Sequence, residues 1–283
     1  MTDKKTENKE EVKDKVPLTE KELQMMELRE AVAFSYDLQK LRIQQGNRAG
    51  AQSSISPAIL DDEKHKKFLG EASDNLSDLE KKSFKEIGRL LKKHEIYNTW
   101  LKDQKGVGPA MAGIIVANID IYKADAVSNI WSYCGLGVVN GKAACREKGK
   151  KAGYDPFLKA KMTEVLGGSF LKCKSPWRDF YDNYKNRKAN CIVDVCPVCK
   201  GSFSYGPEKK PCYMCDAGKK VGPYPWAKSD AHLHQASIRY MVKMFLKELY
   251  VQWRTIEGLP VRKPYEEEYL NRASHESRHG IEP

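Results

Sequence analysis

The sequence predicts a mainly α-helical protein: a long helical hairpin or coiled coil, then a helix-hairpin-helix domain with a small cysteine-rich insertion. Three observations carry that expectation. Apolar residues recur every three or four positions over long stretches, no β-rich segment occurs before residue 105, and a glycine turn separates two helical patterns at 101–112. The chain has 283 residues, room for one large domain or two smaller ones; 41% are hydrophobic and 31% charged, which suits helices with one buried and one solvated face.

Residues 1–16 hold five acids and five lysines and almost nothing apolar, so they are predicted to be disordered. The long-helix region spans 17–104. Pro17 precedes Thr19-x-x-Glu22, a capping box in which each residue satisfies a backbone donor of the other. Leu23, Glu27, Ala31, Phe34, Leu38 and Leu41 then mark one stripe of a helix predicted to end near Gly46, and Asn47 to Pro57 reads as a loop. A second helix is predicted from about Leu76 to Lys102, with Leu76, Leu79, Phe84, Ile87, Leu91 and Leu101 as its seam. The pair suggests an antiparallel hairpin that either covers the downstream domain or joins a second copy into a homodimer.

The segment 105–190 opens with Lys105-Gly106-Val107-Gly108-Pro109. Glycines permit positive φ and leave backbone N–H groups uncovered, and Pro109 suits the first helical position. N–H groups beside a helix N-terminus make an anion site, so Lys105, Gly106, Val107 and Gly108 are candidate contacts to a DNA phosphate. The small residues Ala110, Ala112 and Gly113 allow the two helices to approach closely. The bland alternative is a tight turn between core helices.

The net charge is +11, with a pI near 9.1. Between Lys142 and Lys188 stand thirteen Lys or Arg against five acids, an excess of eight positive charges. Such a local field attracts polyanions. Lys142, Arg146, Lys148, Lys150 and Lys151 cluster in ten residues with only Glu147 opposing them, and read as phosphate contacts on a glycine-flanked loop. No apolar run is long enough to span a bilayer, and MTDKKTENKEEVKDK is no secretory leader, so a cytoplasmic protein without a membrane partner is expected.

Eight cysteines in such a chain argue for metal ligation or buried thiols rather than disulfides. Cys196-Pro-Val-Cys199 and Cys212-Tyr-Met-Cys215 are separated by twelve residues. Each pair can point two thiolates at one ion, and together they complete a tetrahedral four-sulfur shell, so the insertion at 191–228 is predicted to be zinc-ribbon-like. Four protein ligands leave no open position, which makes the zinc structural; an iron–sulfur cluster is the alternative occupant. Cys134, Cys145, Cys173 and Cys191 lack partner spacing, and Cys191, His232 and His234 are weaker ligand candidates. The last segment, 229–283, begins with a helix capped by Ser229 or Asp230. Ile238, Met241, Phe245, Leu249 and Ile256 form its stripe, and Gly258 and Pro260 end it.

From residue 76 onward the order of features resembles the C-terminal half of the bridge-RNA-guided insertion-sequence transposases, the group labelled insertion-sequence-110, -116 and -902. The matching text is GVGPAMAGIIVANI, YKADAVSNIWSYCGLGVV, GKAACREKGKKAGYD, SPWRDFYDNYKNRKA and HLHQASIRYMVKMF. In that family a coiled coil precedes a helix-hairpin-helix transposase domain, a part the helices at 20–45 and 75–103 would play. The resemblance implies DNA as partner, with a structured RNA as a second candidate. It also departs in two places. No segment corresponds to the family's nuclease domain with its four acidic residues. The window for the nucleophilic serine reads Gly137-Val-Val-Asn-Gly-Lys-Ala-Ala-Cys145, without serine.

The expectation is therefore a DNA-binding accessory or relic of a transposase. An active recombinase and a helix-hairpin-helix DNA glycosylase are the alternatives. The glycosylase reading would place its aspartate at Asp120 or Asp125.

Overall fold

The computed structural model describes residues 18–55, 63–139, 142–264 and 268, and the side chains of all but 48–55, 139 and 142 among them. The disorder expected for 1–16 lies outside the described residues.

Helix α1 (Glu20–Ile55) starts at the capping box: the Thr19 N–H donates to Glu22 Oε2 at 2.8 Å and the Glu22 N–H to Thr19 Oγ1 at 3.3 Å. It runs through Gly46 rather than ending there, and the backbone of 47–55, expected as loop, is helical. One glycine costs a helix only about 1 kcal/mol, too little to stop one that is otherwise continuous. Its buried face is Leu28, Val32, Ser35 and Leu38. Of the expected stripe only Leu38 is buried, while Leu23, Phe34 and Leu41 face outward.

Helix α2 (Glu63–Leu91) begins earlier than expected and ends at Leu91. The chain then turns through His94 into the short α3 (Glu95–Thr99) and a 3₁₀ turn at Leu101–Asp103, so the predicted helix to Lys102 is broken in two. Phe84, Ile87, Leu91 and Leu101 pack inward as expected, but Leu79 is exposed and Glu80 takes its place inside. Glu80 is there because α1 supplies its partners: the Arg42 guanidinium donates to it, and Gln39 Nε2 reaches its Oε1 at 3.2 Å. With Lys93 on Glu27 at 2.6 Å, these contacts fix α1 and α2 as an antiparallel hairpin.

Helix α4 (Pro109–Asn118) inserts beneath that hairpin, with everything from Met111 to Ala117 buried. Gly113 is the point of closest approach: a Cβ there would stand 2.6 Å from Ile87 Cγ2 and 3.2 Å from Val32 Cγ2. A 3₁₀ turn (Ile121–Lys123) and α5 (Val127–Tyr133) lead to a small antiparallel hairpin, β1 (Val138–Val139) with β2 (Lys142–Ala143).

Next come α6 (Pro156–Ala160), capped by the Asp155 carboxylate on the Leu158 N–H, a π-helical stretch at Lys161–Leu166, and α7 (Gly167–Lys172). Helix α8 (Arg178–Ala189) leads into the cysteine segment, and α9 (Asp230–Ile256) follows it. Ser229 caps α9 through the His232 N–H at 3.2 Å, and Gly258 follows its end at φ +66. Ile238, Met241, Phe245 and Leu249 are buried as the stripe predicted. Phe245 lies at the centre of an aromatic cluster, its ring 5.5 Å from Trp100, 5.3 Å from Phe170 and 5.4 Å from Trp177. The long hairpin, α4 and α9 thus share one core. Among the described residues no helix is long and apolar enough to cross a membrane.

Candidate metal centre and basic faces

The cysteine segment has little apolar core of its own. Two two-residue strand pairings shape it: β3 (Ile192–Val193) pairs with β6 (Tyr224–Pro225), and β4 (Ser204–Tyr205) with β5 (Lys210–Pro211). Each CxxC turns sharply back on itself. The Lys200 N–H donates to the Cys196 carbonyl at 2.9 Å, and the Ala217 N–H to that of Cys212 at 3.1 Å. These turns bring four buried sulfurs together, all within 4.8 Å of one another. Cys196 and Cys212 lie 3.8 Å apart, and Cys199 and Cys215 3.6 Å.

Only Val198, Met214 and Tyr224 pack against the cluster, which is too little to hold the fold by burial alone. Burial pushes the Cys215 thiol up to about 12. Burial opposes ionisation of Cys199 too, but the Gly201 N–H and the neighbouring thiols bring it down to about 7. Four thiols packed this closely oppose one another's ionisation, and a cation among them removes that cost. The donor set therefore fits a metal ion.

The other ligand candidates are engaged elsewhere. His234 Nδ1 meets the Tyr181 hydroxyl at 2.7 Å, and His232 accepts from the Lys228 N–H and stacks on Trp226 at 5.2 Å. Cys191 is half-buried and outside the cluster, and Cys134 is fully buried, its thiol pushed up to about 12 by desolvation.

At the turn before α4, the two glycines differ. Gly106 has φ +100 and is packed: a Cβ would stand 2.8 Å from Phe170 and 3.0 Å from Cys173 Sγ, and its carbonyl accepts from Ser169 Oγ at 2.8 Å. Gly108 has φ −81 and nothing within 4 Å of where a Cβ would be. Of the two glycines that permit positive φ, Gly106 alone adopts it. Val107 is buried, with its N–H on the Gln104 carbonyl at 2.9 Å, so it offers nothing to a ligand. Lys105, Gly108 and Pro109 are exposed.

Packing of Ser169 and Cys173 on Gly106 also brings two exposed lysines, Lys172 and Lys174, alongside the turn. No local pattern places them here, because they lie more than sixty positions away. Arg146, Lys148, Lys150 and Lys151 are exposed on the loop after β2, where Lys150 pairs with Glu147 at 2.7 Å. The backbone of Lys142 lies in β2, and its side chain is outside the description.

The loop and the turn meet different ends of one helical stretch. The loop leads into the N-terminal end of the helical stretch 156–172, while the turn packs at its C-terminal end. Cys145 is exposed and free. Asp120 caps the turn at Tyr122 and pairs with Lys123 at 3.0 Å. No protein-family model, curated protein or solved structure matches this chain.

Proposed function

We propose that this is a DNA-binding protein, an accessory or relic of insertion-sequence transposases, that grips duplex phosphates at two basic faces and keeps a structural zinc in its cysteine insertion. The observation that carries the reading is the concentration of charge: an excess of eight positive charges between Lys142 and Lys188, with Arg146, Lys148, Lys151, Lys172 and Lys174 exposed. The open turn at Gly108 supports it. There a phosphate can approach the first N–H groups of α4, which have no acceptor within the helix, with Lys105 beside them.

Contacts of this kind hold the backbone and do not read sequence. Four sulfur ligands favour zinc over harder ions and leave it no open coordination position, so its role is to hold the insertion folded. The outward face of α1, with Leu23, Phe34 and Leu41 exposed, supports pairing with a second copy. A structured RNA is the further partner implied by the resemblance, and the cytoplasm the expected compartment.

The test is binding of several unrelated duplexes by wild type and Gly108→Val. Because Gly108 is extended and unobstructed, valine adds bulk without backbone strain. Affinity should fall alike for every duplex. Unchanged affinity in a variant with native circular dichroism removes the turn from the DNA interface.

A further inference from the structure

The cysteine insertion exposes side chains that a purely structural metal module does not need. Phe203 is 54% exposed, Tyr205 37% and Tyr213 59%. They come from three places on the module: the loop after the first knuckle, strand β4, and the middle of the second CxxC. The Phe203 ring lies against Gly218, where a Cβ would stand 2.7 Å from it, and so is held in place while still exposed. Tyr205 and Tyr213 meet edge to face at 5.4 Å, which fixes both rings. The module is also rich in lysine. The segment 191–228 holds six lysines, no arginine and three acids, and Lys200 and Lys209 are exposed without an ion pair among the described residues.

That composition discriminates between occupants. Protein interfaces collect aromatics and arginine but are depleted of lysine. Duplex DNA offers phosphates but hides its base faces. An unpaired strand offers both: phosphates for the lysines and open π-faces for rigid rings.

We infer that the metal module is a stacking platform for single-stranded DNA, using Phe203, Tyr205 and Tyr213 for bases and Lys200 and Lys209 for phosphates. The choice of DNA rests on the function proposed above, through the course of α8. Its N-terminal end lies at the turn before α4, where Trp177 Nε1 donates to Gln104 Oε1 at 3.2 Å. Its other end enters the module, where Lys188 lies 4.8 Å from the Trp226 ring. Twelve residues span about 18 Å, or about five nucleotides of stacked strand. A strand leaving a duplex held at the turn reaches the Trp226 edge of the module within that distance, and Tyr213 lies next to it, its hydroxyl donating to the Lys228 carbonyl at 3.4 Å.

The test uses full-length, zinc-loaded protein and fluorescence anisotropy. Its four probes are a fifteen-nucleotide oligo(dT), an abasic oligonucleotide of equal length, oligo(rU) and a blunt duplex. Oligo(dT) should bind at least about tenfold tighter than the abasic strand, since each base stacked on a ring contributes about that factor or more. Tyr205→Ala with Tyr213→Ala should remove most of that advantage, Tyr205→Phe with Tyr213→Phe should keep it, and duplex affinity should stay within about twofold throughout. Equal binding of abasic strand and oligo(dT) overturns the platform without any variant, whatever the alanine changes do to folding. Binding of oligo(rU) in preference to oligo(dT) overturns the assignment to DNA. Loss of duplex binding in Gly108→Val with oligo(dT) binding intact separates the two faces. Oligo(dT) binding without any duplex binding would sink the duplex reading and leave the platform standing.

Discussion

Gly113 lies so close to Ile87 that a Cβ added to it would stand 2.6 Å from the isoleucine Cγ2. This contact seats α4, and with it the turn at Gly108, under the long helical hairpin. Gly113→Ala forces α2 or α4 to shift, and should destabilise the protein by about 1–3 kcal/mol. The gain of about 1 kcal/mol in helix propensity that alanine normally brings does not offset the clash. Thermal melting checks it, and a raised midpoint would show that the helices part easily.

Arg254 is buried, and its guanidinium donates to the carbonyls of Pro260 at 2.7 Å, Ala124 at 2.7 Å and Ile121 at 3.2 Å. It ties the end of α9 to the turn after α4. Arg254→Met should cost roughly 2–4 kcal/mol, because buried acceptors lose their donor. Arg254→Lys should not restore it, since an ammonium cannot reproduce the fork. Denaturant midpoints of the three proteins decide the point.

Much of the framework was readable from local chemistry. The Thr19–Glu22 box, the Ser229 cap, Gly258 and the CxxC pairs each work within a few residues, so their geometry follows from spacing alone. Helix α1 was not readable in the same way, since Leu23, Phe34 and Leu41 make as good a stripe as Leu28, Val32 and Leu38. What decides between them is contact with α2 and α4. The break at His94 has no glycine or proline to announce it, and Glu80 is buried only because Arg42 and Gln39 meet it from another helix. Lys172 and Lys174 join the turn through packing of Cys173 on Gly106, a long-range contact without a sequence signal.

Acid should loosen the base of the hairpin. Glu257 is only partly buried. Burial opposes its ionisation, but hydrogen bonds from Tyr122 and Lys21 hold its carboxyl below the ordinary 4.5. A depressed folded value means the contribution is present above the unfolded value and is lost as pH falls through the folded one. Glu257→Gln should therefore narrow the difference in melting temperature between pH 7 and pH 3. An unchanged difference would assign the acid sensitivity to other groups.

Protein purified without added metal should contain one zinc per chain, and Cys199→Ser with Cys212→Ser should abolish it. Chelation should change Trp226 fluorescence, because this ring joins the module to α8 and α9 through Lys188 and His232. The core around Phe245 should keep its helical circular dichroism, since it shares no residue with the cysteine cluster. Full zinc content in the double variant would dismiss the site.

The salt dependence of duplex binding tests the central claim most directly. Each lost phosphate contact should reduce the log–log slope by about 0.9 on duplex DNA. Lys148→Ala, Lys150→Ala and Lys151→Ala together should lower both affinity and slope, while Cys145→Ser changes neither. A slope unaltered in the triple variant, with its fold intact, would contradict the account and take the basic loop off the DNA.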